Sequence, residues 1–217
     1  MKIIKHAQSC LEVLTKKANF LIDPGTYVFE DEGKSVNEFS HIDAIIITHP
    51  HYDHFDEKNI QELCSIKDVA VFAPSDALLS IKCDNSHEVR DGEHLEFNGA
   101  KLVFSQSKHG PLPNGKSAPD VIGVKINDGA NSIYSPGDSL YLNTDSGTDV
   151  IAVPISGTVT MDADEGAKQV EKLSPRFAIP IHFDNPAYPA DPKIFAQKLK
   201  NSRTEARVLS WGEYITL

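Results

Sequence analysis

The sequence predicts an α/β fold in which two sheets pack together with helices outside. Three observations predict it. Short apolar runs separated by turns crowd the first half of the chain. The last third alternates strand-like and helix-like segments. Two strand-sized stretches, Ala44–Ile47 and Val150–Val153, are continuously apolar, as strands buried on both faces are.

The elements follow in order. Lys2–Lys5, Leu11–Leu14 and Asn19–Ile22 read as strands joined by tight turns, the third closed by Asp23-Pro24-Gly25. Ala44–Thr48 reads as a buried strand. Asp56–Ile66 carries Ile60, Leu63 and Ile66 on one face, which predicts a short amphipathic helix capped by Asp56. Val69–Ala73 predicts a strand and Ser75–Ile81 a short helix. Val89, Leu95–Phe97 and Lys101–Ser105 predict a meander. Val121–Ile126 and Ser132–Ser135 predict a hairpin across Asn127-Asp128-Gly129-Ala130. The alternating part reads Val150–Val153 strand, Asp162–Leu173 helix, Phe177–Ile181 strand, Pro192–Lys200 helix and Ala206–Leu209 strand. No linker or repeat breaks the pattern, so residues 1–217 are expected to form one domain.

Composition excludes several functions. The chain has 217 residues, of which 40% are hydrophobic and 24% charged, the mix of an ordinary globular protein. Its net charge of −10 repels phosphate backbones, so no nucleic-acid partner is expected. No apolar run approaches the roughly 20 residues of a membrane helix. The opening Met-Lys-Ile-Ile-Lys-His lacks the continuous apolar stretch of an export signal, so a cytoplasmic location is expected. The three cysteines, Cys10, Cys64 and Cys83, are odd in number and form no C-x-x-C pair. They are expected to be reduced thiols and not a disulfide scaffold.

The strongest chemical signal is Thr48-His49-Pro50-His51-Tyr52-Asp53-His54, directly after a buried strand. Imidazole and carboxylate are the ligands of zinc, manganese and iron(II). Residues i and i+2 of an extended chain share a face, so His49 and His51 can converge on one ion. A following turn can aim Asp53 and His54 at a second. So many titratable groups behind one buried strand would be costly without a purpose. His109, Asp138 (in Pro136-Gly137-Asp138-Ser139) and His182 (in Ile179-Pro180-Ile181-His182) each follow a strand-like run. A lone His at a strand end is usually a hydrogen-bonded residue, and a lone Gly-Asp is usually a turn. Their shared place at strand ends, where α/β folds locate chemistry, raises them to candidates.

In that order these motifs resemble the metallo-β-lactamase superfamily, over the whole chain. Leu21-Ile22-Asp23-Pro24-Gly25 resembles its early Asp-containing turn. Thr160-Met161-Asp162, Ile179-Pro180-Ile181-His182 and Trp211-Gly212-Glu213-Tyr214 resemble the branch that contains the L-ascorbate-6-phosphate lactonases. His6 resembles an early His of that branch, with Lys5 where a Gly usually stands. The resemblance implies a four-layer αβ/βα sandwich with the site between its sheets. It implies two divalent metal ions, His49, His51 and His109 on the first, Asp53, His54 and His182 on the second, and Asp138 bridging. Asp23 would orient a ligand His.

The function implied is a metal-dependent hydrolase. A metal-bridging hydroxide would act on a small ester, lactone or phosphoester, with Asp53 and Asp138 catalytic. Zinc is the first choice of metal, and manganese and iron also suit the N and O donors. The alternatives are a phosphodiesterase or nuclease on the same fold, or a metal-binding protein without turnover. Only 44 residues separate Asp138 from His182, too few for an inserted domain, so a small-molecule substrate is expected. Lys116 and Asn114 are candidates to touch an anionic one, and Tyr27, Phe29, Asn185 and Tyr188 to flank the site. All six read equally well as ordinary surface residues. Assembly into a homo-oligomer is compatible with the sequence, which sets no symmetry.

Overall fold

A computed structural model describes all residues from Met1 to Leu217. Two seven-stranded sheets face each other. The first contains β1 (Lys2–Lys5), β2 (Leu11–Leu14), β3 (Asn19–Ile22), β4 (Ala44–Ile46), β5 (Ala70–Ala73), β6 (Ser86–Glu88) and the terminal strand β14 (Tyr214–Thr216), in the order β14-β1-β2-β3-β4-β5-β6. The second contains β7 (His94–Phe97), β8 (Ala100–Ser107), β9 (Val121–Asn127), β10 (Ser132–Ser135), β11 (Val150–Pro154), β12 (Phe177–Ile181) and β13 (Glu205–Ala206), in the order β13-β12-β11-β10-β9-β8-β7. Each sheet is an antiparallel meander that continues into parallel strands, the switch falling at β3 and at β10. The parallel strands are joined through helices packed on the outside, which yields the four-layer sandwich.

Side-chain alternation explains the layering. Phe20, Ile46 and Phe72 of the first sheet and Phe104, Ile133 and Ile179 of the second meet in one core between the sheets. Their strand neighbours Leu21, Ile45 and Val71 point outward, onto α1 (Thr26–Glu30), a 3-10 turn at Val36–Phe39 and α2 (Glu57–Ile66). On the other side Ile151, Val153 and Ala178 meet Ala167 and Val170 of α4 (Ala163–Leu173) and Phe195 of α5 (Pro192–Lys198). Burial on both faces is why the central strands read as continuous apolar runs. The short α3 (Ser75–Leu78) completes the helices.

Helix starts follow local chemistry. The Asp56 side chain accepts the Asn59 amide proton at α2. Asp162 and Glu165 form a reciprocal capping box at α4. Differences from the sequence reading lie where burial comes without regular pairing. β4 stops at Ile46, because Thr48 bonds through its N–H and hydroxyl to Asp23 instead. β6 precedes Val89 and is fully exposed, so no apolar signal marks it. β13 is Glu205–Ala206, while Leu209 packs into the core from a loop.

The expectation of three reduced cysteines is corrected. Cys64 of α2 and Cys83 are joined in a disulfide, with Cα atoms 5.5 Å apart across a separation of 19 residues. Pairing depends on proximity in space, and an odd count hides it when the third cysteine, Cys10, lies buried elsewhere.

Candidate functional site

The site lies at one edge of the sandwich, where strand ends from both sheets meet. The His49–His54 segment follows β4, His109 follows β8, Asp138 follows β10 and His182 follows β12. A turn folds the motif, with the N–H groups of His54 and Phe55 both donating to the His51 carbonyl. That turn sits on the chain at residues 24–26. The Thr26 N–H donates to the Tyr52 carbonyl, and a Cβ at Gly25 would lie 2.1 Å from the Asp53 backbone. Only glycine permits this approach. Gly137 has φ +64°, and a Cβ there would lie 2.6 Å from the Thr48 hydroxyl, so it too lets Asp138 come close.

All seven candidate residues come together. The ligand atoms of His49, His51, His109 and Asp138 lie within 4.8 Å of one another, and so do those of Asp53, His54 and His182. Asp138 stands between the groups. Its Oδ2 is 3.4 Å from His109 Nε2 and 3.2 Å from His182 Nε2, and its Oδ1 is 3.1 Å from His54 Nε2. Six of the seven are buried, His51 being half-buried.

Outer contacts fix the rings. Asp23 accepts from His54 Nδ1 at 2.8 Å and from the Thr48 amide and hydroxyl. That hydroxyl therefore accepts from His49 Nδ1 at 3.0 Å. His109 Nδ1 donates to the Gly110 carbonyl at 2.7 Å. Each pairing assigns the Nδ1 tautomer and turns Nε2 inward, the arrangement that prepares a histidine for a metal. His54 Nε2, His109 Nε2 and Asp138 Oδ1 are buried with no hydrogen-bond partner. Buried polar atoms without hydrogen bonds are costly, and a cation in each group would satisfy all three. The donor set, nitrogen and oxygen only, fits a divalent ion of the zinc–manganese–iron group.

The electrostatics split the imidazoles. Burial and the neighbouring His54 push His49 well below the ordinary histidine range. Burial opposes charge on His54 as well, but Asp138, Asp23 and Asp53 outweigh it and push its pKa up. Against the same burial, Asp138 and Asp53 raise His182 to about 9. Burial likewise opposes ionisation of Asp138 and Asp53, yet the imidazoles hold both below the usual carboxylate range. A cation entering such a site competes with protons for the same ligand atoms.

Gln8 was not apparent from the sequence. Its side-chain amide donates to Asp53 Oδ2 at 2.9 Å and lies 3.2 Å from His182 Nε2, and its backbone carbonyl accepts the backbone N–H of His182. Asn185 holds the same Asp53 oxygen at 3.3 Å. Gln8, Asp23 and His182 all have φ between 49° and 60°, a conformation non-glycine residues seldom adopt. Such strain clusters where a site needs it, and nothing in residue type announces it. His6 stands apart from the seven, bonded to Glu12 and Glu32.

A cavity of about 260 Å³ opens over both groups, lined by His51, Asp53, His109, Asp138 and His182 at its floor. Tyr188, Asn185 and Asn114 line it as well. Tyr27 reaches it only through Tyr52, their hydroxyls 3.2 Å apart. Lys116 is exposed and outside the lining, and Phe29 packs on Phe39.

Residues 2–182 match the family described as the β-lactamase superfamily domain. The chain belongs to the metallo-β-lactamase superfamily. Across that superfamily's fold it is 27% identical to a UPF0173 metal-dependent hydrolase of Nanoarchaeum equitans, covering 99% of each chain. It is 29% identical to another from Thermoplasma volcanium, covering 90% of this chain and 89% of that one. The metallo hydrolase Igni18 of Ignicoccus hospitalis superposes with a TM-score of 0.79 at 20% identity, over 99% of this chain and 97% of that one. No helix is long and apolar enough to cross a membrane.

Proposed function

We propose that the protein is a binuclear metal-dependent hydrolase of a small ester, lactone or phosphoester, working as one catalytic domain. The observation that carries this reading is the pair of ligand groups sharing Asp138, three of whose members present buried, unpaired donor atoms. His49, His51 and His109 would hold one cation, Asp53, His54 and His182 the other, and Asp138 both. The two sheets each contribute ligands, so neither half would be active alone.

Divalent cations there, zinc foremost, would acidify a water and offset the negative charge that develops on the substrate. The chain's own residues supply the rest. Asp23 and Thr48 hold His54 and His49 in the tautomers that present Nε2. Gln8 and Asn185 hold one oxygen of Asp53. Asp53, which lines the cavity, would take a proton from a water beside the substrate. The open cavity over the ligands supports turnover above mere metal storage.

The test is a substrate panel on protein stripped of metal and reconstituted with Zn²⁺ or Mn²⁺. Turnover of an aryl ester, lactone or phosphoester that stops on chelation and returns with about two ions per chain is expected. A fully loaded protein inert towards every class, or one saturating at a single ion, would overturn the reading.

A further inference from the structure

The cavity's outer wall narrows the substrate class. Leu112 and Pro113 come from the loop after β8, Val159 from the segment before α4, and Ala187 and Tyr188 from the loop after β12. With Tyr52 they form an uncharged rim above a floor that carries two carboxylates. The basic groups nearest in sequence are turned elsewhere. Lys108 and Lys116 are exposed and outside the lining, and Lys5 is buried in an ion pair with Asp184, 2.9 Å away.

We infer that this cavity takes a small uncharged acyl compound, an ester or lactone with a short apolar chain, in preference to a phosphoester. The inference rests on the hydrolase reading of the same site. A phosphomonoester carries about −1.5 to −2 charge at neutral pH and three acceptor oxygens. Proteins meet such a group with metal ions and, around them, with Arg or Lys in charge-assisted pairs, and beyond the cations of the floor this wall offers aliphatic and phenolic surface instead. The neutral donors that it does offer suit a carbonyl or ether oxygen. The Asn114 Oδ1 is taken by the Lys116 N–H, which leaves the Asn114 side-chain NH₂ as a donor without charge. Size agrees, because about 260 Å³ lies below the roughly 300–1,000 Å³ of sites for drug-sized ligands.

Hydrolysis of such a substrate balances simply. The oxygen of water bonds to the acyl carbon. The acyl carbon–oxygen bond breaks, its electron pair passing to the leaving oxygen. One proton of the water ends on that oxygen, giving a carboxylic acid and an alcohol, or a hydroxy acid from a lactone.

The experiment compares 4-nitrophenyl acetate, propionate and butyrate with 4-nitrophenyl phosphate and bis(4-nitrophenyl) phosphate, on the metal-loaded protein. Burying each added methylene on the wall should raise kcat/KM about three- to fourfold. Leu112→Ala should shrink that gain. Leu112→Lys, which places a cation on the rim, should abolish it and tighten inhibition by inorganic phosphate. Tyr188→Ala repeats the truncation on another part of the wall. A flat chain-length series, a phosphoester with higher kcat/KM than every carboxylate ester, or a Leu112→Lys protein with unchanged selectivity would each overturn the inference while leaving a hydrolase. Loss of all turnover in the loaded parent would instead overturn the hydrolase reading on which it rests.

Discussion

Two clusters in this molecule are built from histidines and carboxylates and differ in how those groups are paired. The site at the strand ends joins five histidines to two aspartates. On the helix side of the first sheet, His6 at the end of β1 joins Glu12 of β2, Glu32 and His41. In this second cluster His6 Nδ1 meets Glu32 at 2.8 Å, His6 Nε2 meets Glu12 at 3.1 Å, and His41 Nε2 takes the other Glu12 oxygen at 2.8 Å. The remaining Glu32 oxygen accepts the Ala7 N–H. At the strand ends, by contrast, His54 Nε2, His109 Nε2 and Asp138 Oδ1 make no hydrogen bond, and the two imidazoles only face Asp138 at 3.1 and 3.4 Å. A closed network ties the β1–β2 turn to α1 and the 3-10 turn. An open one has ligand atoms to spare. Composition does not tell these apart; pairing does.

Breaking the open cluster should give the largest effect. Replacing Asp138 by Asn removes the charge shared by both groups, and kcat/KM should fall by about 10³-fold or more with the fold intact by circular dichroism. A smaller loss would mean that Asp138 does not bridge.

Breaking the closed cluster should cost stability and spare the chemistry. Removing His6 takes one partner from each of two carboxylates, Glu12 keeping His41 and Glu32 the Ala7 N–H, so His6→Ala should lose about 3 kcal/mol, read from denaturant unfolding. The loss should depend on pH. Burial disfavours the His6 imidazolium, but the bonds to Glu12 and Glu32 outweigh it and raise its pKa above 6.5. Its contribution is complete below 6.5 and fades as pH rises through the raised value. Burial also disfavours ionised Glu12, but His6 and His41 outweigh it and lower its pKa below 4.5. That contribution is complete above 4.5 and fades as pH falls through the lowered value. The deficit of His6→Ala should therefore be greatest between 4.5 and 6.5. A deficit that grows above this window would show the pair to be miscast.

The smallest effect sharpens the comparison at the seam, since Gln8 lies two residues from His6 yet faces the open cluster. Gln8→Met keeps the length and loses the amide that holds Asp53. Affinity for the second ion should weaken about 10- to 100-fold in a chelator competition, with the first ion unmoved. Equal weakening of both ions would argue that Gln8 merely supports the loop.

Much of the architecture was legible in advance. Lys2–Lys5, Leu11–Leu14 and Asn19–Ile22 are strands over the bounds their apolar runs suggest, and Asp56 caps its helix. The superfamily and its fold could be read from the His49–His54 motif and the later His109, Asp138 and His182. The missed features have no local signature. α1 has five residues, too few to show a period, and β6 is exposed throughout. The Cys64–Cys83 bond joins a helix to a distant loop.

The sequence by itself determined which strands are buried, where helices start, and that histidine and carboxylate would gather at strand ends. Those properties depend on spacing along the chain, through the periods of strand and helix and the chemistry of caps. Only the tertiary structure decided which polar atoms found partners. His6 and His54 are both buried histidines beside carboxylates, but His6 has both ring nitrogens hydrogen-bonded while His54 Nε2 faces Asp138 at 3.1 Å without a hydrogen bond. That choice depends on Glu12, Glu32, Asp23 and Asp138 arriving from separate elements at angles that no stretch of sequence encodes.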